Sequence, residues 1–176
     1  HEIVTGKPYT YLDNAPIEER RTRAVSLRRA LPVEARDLAT LDAEAIARVA
    51  DEAWPEARTT EEVHDALLGF VAIAEPLVRD WRDSLHALQA EGRAAHFEHR
   101  AGSGVTRIWF AVEHLAAIRL LFPAAALPPL DVPARAILPV GHREAARVLL
   151  LRGHAEALGV TNARQLAASS GLDVTD

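Results

Sequence analysis

The chain has 176 residues, 49% hydrophobic and 26% charged, a balance that suits one or two small globular domains with a real core and excludes a disordered tail. Its net charge of −5 argues against a generic polyanion binder, whose footprint is usually basic throughout. Cysteine is absent, which excludes disulfides and thiolate metal sites and fits a reducing compartment.

The charge is polarised along the chain. Residues 1–32 carry Lys7 and five arginines against four acids, whereas residues 33–65 carry ten acids against three arginines. In YLDNAPIEERR, Asp13 or Asn14 can cap a helix, Pro16 suits its first turn, and Glu18 and Glu19 favour the positive end of its dipole. That helix is expected to run to about Ala30, with its arginines spread around the circumference and Arg21 and Arg28 on one face.

A second helix, LDAEAIARVADEAW, is expected to bury Ile46, Val49 and Ala53 and to end before Pro55, leaving Trp54 at a helix terminus. Thr59 and Glu62 form a capping-box pattern that opens TEEVHDALLGFVAIAE, with Val63, Leu67, Phe70 and Val71 inward. A fourth helix is expected from near Pro76, carrying Leu77, Trp81, Leu85 and Leu88 to a stop at Gly92.

The pattern then changes. AAHFEHR, a Gly-Ser-Gly turn and VTRIWFAV predict a β-hairpin near 94–112, with His96, Glu98 and Arg100 on one face and Phe97 and His99 on the other. VEHLAAIRLLF returns to helix, and the proline-punctuated stretch 123–141 marks the candidate domain boundary. Beyond it, HREAARVLLLRGHAEALG and a short helix capped by Thr161 or Asn162, with Leu166 and Ala167 inward and a turn at Gly171, make a helix-turn-helix opening.

The expected fold class is therefore mainly α. It comprises a helical accessory domain with a hairpin insertion over 1–122, a Pro-rich connector over 123–141, and an incomplete winged-helix unit over 142–176. No apolar run reaches the roughly 18 to 20 residues of a membrane span and no basic-then-apolar leader is present, so a soluble, cytoplasmic setting is expected. With no methionine at position 1, both ends are expected to be boundaries within a longer chain.

Eight histidines invite a metal reading, but none makes HExxH, and His96 and His99 point to opposite faces of a strand. GxxxxGK[ST], GxGxxG and GxSxG are all missing, so neither a phosphate cradle nor a nucleophile elbow is expected. Acids such as Asp51, Glu52 and Glu56 read as a solvated face. Two roles stay open to the arginine helix: bidentate contact with phosphates, or internal pairing with nearby acids. Trp54 has two roles as well: it can stack on a nucleobase, a contact worth roughly 1–3 kcal/mol for any base, or it can belong to the core. Trp81 and Trp109 fall in register with apolar neighbours and read as core.

HEIVTGKPYTYLDNAPIEERRTRAV, LDAEAIARVADEAWPEART and EEVHDALLGF resemble the large helicase-related (Lhr) family of superfamily 2 ATP-dependent DNA helicases. IWFAVEHL and LLLRGHAEALGVTNARQLAASSGL extend the resemblance over nearly the whole chain. It implies a 3′-to-5′ single-stranded DNA translocase that unwinds duplexes, including RNA–DNA hybrids, in DNA repair. The RecA-like motor domains, with their ATP and Mg²⁺, would lie upstream of His1, so this segment would carry no cofactor and no ATPase residues of its own. Its partners would be single-stranded DNA and that motor, with Trp54 stacked on a base and Arg21, Arg28 and Arg29 near the backbone. The competing expectations are a scaffold or protein-interaction module and a helix-turn-helix regulator.

Overall fold

The computed structural model describes residues 42–101 and 104–173. The arginine helix expected over 14–30, including Arg21, Arg28 and Arg29, lies outside the described residues. The chain divides into two units, 1–43 and 44–176.

Helix α1 (Ala43–Ala53) ends where Pro55 forbids another turn, and Trp54 adds one last amide bond back to Ala50 at 3.0 Å. It buries no residue fully, contrary to expectation: Val49 is 44% exposed. The physical reason lies at Gly159, whose vacant Cβ position is 3.1 Å from Val49 Cγ1, so α1 rests on a turn and not in a core. Helix α2 (Thr60–Phe70) carries the expected capping box, with Thr59 accepting from the Glu62 amide while the Glu62 carboxylate accepts from the Thr59 amide.

The expected continuation of α2 through VAIAE does not occur. Val71 sits at φ 68°, ψ −52°, in a γ-turn closed by the Ala72 amide on the Phe70 carbonyl at 2.8 Å. A β-branched residue at positive φ is strained, and full burial of its side chain holds it there. The turn frees Ile73–Ala74 to form a short strand, β1, which sequence periodicity did not reveal. Two 3₁₀ turns (Glu75–Leu77 and Arg79–Trp81) then lead into α3 (Arg82–Ala90), so the fourth helix starts later than expected and leaves Leu77 41% exposed.

Strands β2 (Ala94–Ala101) and β3 (Gly104–Ala111) are the expected hairpin, and β1 joins β3 on its far side in the antiparallel order β1-β3-β2. Alternation along the strands divides two cores. Ile73, Ala94, Trp109 and Ala111 face α2 and α3, packing with Leu67, Phe70, Trp81 and Leu85. Ala95, Phe97, Ile108 and Phe110 face the other side, where α4 (Leu115–Leu121) and α5 (Arg143–Leu158) supply Ile118, Leu121, Ala146 and Leu150. Trp81 and Trp109 are both core, as their register predicted.

The proline-rich stretch is not the limit of this core. Leu127, Leu130, Val132, Ile137 and Val140 pack against the same cluster as Phe110, and the Leu138 amide bonds the Glu113 carbonyl at 2.8 Å. Residues on both sides of 123–141 thus belong to one compact unit, and the division of the chain falls at 43/44. Helix α6 (Ala163–Ser170) is capped by Asn162 and ended by left-handed Gly171, both as expected. Its fully buried positions are Ser169 and Ser170, whereas Leu166 and Ala167 are only half-buried. The architecture is mainly helical around a small antiparallel sheet.

Candidate nucleic-acid interface

Trp54 is the one sequence-nominated site residue within the described part. Its indole stacks on Trp81, with ring centroids 5.8 Å apart and planes 25° from parallel, and is tilted against Phe70 at 5.5 Å. Trp81 and Phe70 are buried and Trp54 is half-buried, so it is the outer ring of a three-ring cluster. Core membership and a stacking role are compatible here, because the two buried rings fix the orientation of the third. Beside it lies a cavity of about 260 Å³, lined by Ala53, Pro55, Gly69, Phe70, Gly153 and Ala157 among others.

Two glycines, Gly69 and Gly153, meet in its wall. A Cβ on Gly153 would lie 2.0 Å from the Gly69 carbonyl oxygen, so α5 and α2 touch backbone to backbone. The surrounding charge is acidic: Asp51, Glu52 and Glu56 are exposed, and the nearest cation in the chain, Arg58, is held by Glu56 at 2.8 Å. The described surface at Trp54 therefore supplies a ring but little attraction for phosphate.

The hairpin brings together cations that the sequence reading did not nominate. Arg100 and Arg107 share the face of His96 and Trp109, and both are exposed on the distal half of the arm, with Val105 between them 59% exposed. Arg107 bonds Glu75 at 3.2 Å. Period-two alternation in HFEHR and VTRIW was the signal that could have found this face.

The buried histidines are structural. His154 donates from Nε2 to the Ala72 carbonyl at 2.7 Å, and its Nδ1 lies 2.8 Å from the Ser169 hydroxyl, from which it accepts in the neutral form that burial favours. His114 donates to the Leu68 carbonyl at 2.8 Å. Burial lowers the pKa of both below the ordinary imidazole value, and the backbone bond only partly offsets it. His64 accepts from Arg93 at 3.1 Å and donates to Glu113 at 3.3 Å, while Arg93 grips Glu61 with two bonds of 2.7 Å. Those bonds hold the Glu61 carboxyl below its usual pKa.

Among the described residues, no three His, Asp or Glu side chains are grouped to hold a metal ion. None of the described helices is long and apolar enough to cross a membrane.

No family model, curated protein or solved structure matches the chain.

Proposed function

We propose that this chain is an accessory module of a cytoplasmic, ATP-dependent 3′-to-5′ single-stranded DNA translocase, one that contacts the tracking strand and couples stepping to unwinding. The observation that carries the reading is the Trp54 platform, an indole oriented by Trp81 and Phe70 yet left half-exposed at a helix end. Such a ring stacks on any base, which suits a motor indifferent to sequence. The acids around it leave phosphate contact to other groups, and in this reading Arg21, Arg28 and Arg29 supply it. Helices α5 and α6 are read as the opening of a winged-helix unit. ATP and Mg²⁺ belong to the upstream motor.

The test is titration of this chain with a short single strand, following tryptophan emission at low and moderate salt. Salt-sensitive quenching is expected for the wild type and its loss in Trp54→Ala, because the other two tryptophans are buried. In the parent enzyme, Trp54→Ala should reduce unwinding more than ATP hydrolysis. Quenching that survives in the variant, or equal losses of the two activities, would remove the coupling role.

A second reading, a scaffold that braces the motor or binds a protein, draws on different observations. Arg58, Arg93, Arg107 and Arg152 are paired with carboxylates, and Val148 and Leu149 leave an apolar strip on α5 exposed. A protein contact would respond little to salt. A helix-turn-helix regulator would instead discriminate among duplex sequences.

A further inference from the structure

Strand β2 is an edge of the sheet, eight residues long and without proline. The Val112 amide donates to the Arg93 carbonyl at 3.0 Å, so the Arg93 carbonyl faces β3. In an antiparallel ladder the direction alternates, and the backbone groups of Ala94, His96, Glu98 and Arg100 therefore face away from β3. Ala94 is buried and that end of the edge is covered, whereas Glu98 and Arg100 are exposed. Neither of these two side chains has a hydrogen-bond or ion-pair partner among the described residues, even though Glu98 is registered opposite Arg107, which turns to Glu75.

Charge on an edge strand ordinarily keeps copies apart. Here the sign reverses between two positions that flank one residue, which makes the edge self-complementary. An antiparallel copy related by a two-fold axis at His99 sets Glu98 opposite Arg100 of that copy and Arg100 opposite its Glu98. Both pairs are ladder positions with outward amides, and both lie on one face. An axis at Glu98 would put two carboxylates face to face, and one at Phe97 would need the covered Ala94 end. We propose that two copies of this chain pair through β2 in the register centred on His99, extending the sheet across the dimer.

The experiment is sedimentation velocity over a concentration series with the full chain, with circular dichroism confirming that each variant is folded. The wild type should show a reversible monomer–dimer equilibrium. Glu98→Arg and Arg100→Glu should each raise the dissociation constant about tenfold or more, as two cross-strand pairs turn from attraction to repulsion. The double exchange, E98R with R100E, should restore the wild-type constant because it regenerates both pairs with reversed sign. A monomer at every concentration, a dimer indifferent to the single variants, or a double variant as weak as the singles would each overturn the proposal. The outcome does not depend on DNA binding, so it stands or falls apart from the translocase reading.

Discussion

Replacing Gly153 by alanine tests the backbone contact between α5 and α2. The added Cβ would lie 2.0 Å from the Gly69 carbonyl oxygen and 2.9 Å from its carbonyl carbon, and both are backbone atoms that cannot rotate aside. Helix α5 would have to retreat from α2 by about 1 Å, a gap at which packed neighbours forfeit a quarter to a half of their dispersion attraction. The retreat would also stretch the adjacent bond from His154 to Ala72, now 2.7 Å. Overpacking costs about 1–3 kcal/mol, and a buried carbonyl left without its donor costs about 1–3 kcal/mol more. Better helix propensity returns about 1 kcal/mol. The expected net loss is about 1–5 kcal/mol, or roughly 2–20 °C in Tm for a chain of this size. Gly69→Ala is the internal control: nothing lies within 4 Å of its added Cβ. It should be neutral or stabilising by up to about 1 kcal/mol. Thermal and urea melts of both variants decide the matter, and a Gly153→Ala protein as stable as wild type would refute the backbone contact.

Acidification should destabilise the fold through His154 and His114. Burial lowers both folded pKa values, so the unfolded chain takes up these protons first. Stability is complete above the ordinary imidazole pKa and declines as pH falls below it; urea midpoints measured from about pH 7.5 to about pH 5 should drop, and a flat or rising profile would contradict the assignment. Ser169→Ala leaves His154 Nδ1 buried without a donor, a loss of about 1–3 kcal/mol. Hydrogen exchange should show α6 amides losing protection before those of β3, and uniform loss would mean that the hydroxyl does not latch α6.

Local chemistry was legible wherever it was local. The Thr59–Glu62 box, the Asn162 cap, the Gly92 and Gly171 turns and the hairpin all depend on residues within a few positions of each other. The corner at Val71 was not, because an apolar run through FVAIA continues helical spacing and nothing within it announces a positive φ. The stretch 123–141 shows the same limit from the other side. Prolines excluded regular helix there, but whether Leu127 or Ile137 meets solvent or core is decided by α4 and β3. For the site, the sequence nominated Trp54 from its place at a helix end. It could not show that Trp81, 27 positions on, would lie flat beneath it.

The corner at Val71 also bears on the order in which the chain assembles. Its carbonyls are held from afar: Leu68 by His114, 46 residues later, and Ala72 by His154, 82 residues later. During synthesis α2 emerges well before either histidine; β3 and His114 then reach β1 and the Leu68 carbonyl, but the Ala72 carbonyl has no anchor until α5 has been made. Closing loops of that length is slow relative to helix formation. A nascent chain that ends before residue 143 should therefore keep α2 helical through its capping box, with β3 at hand for β1 but the Ala72 side of the corner still unheld. Docking of α5 would then lock both cores in a single late step.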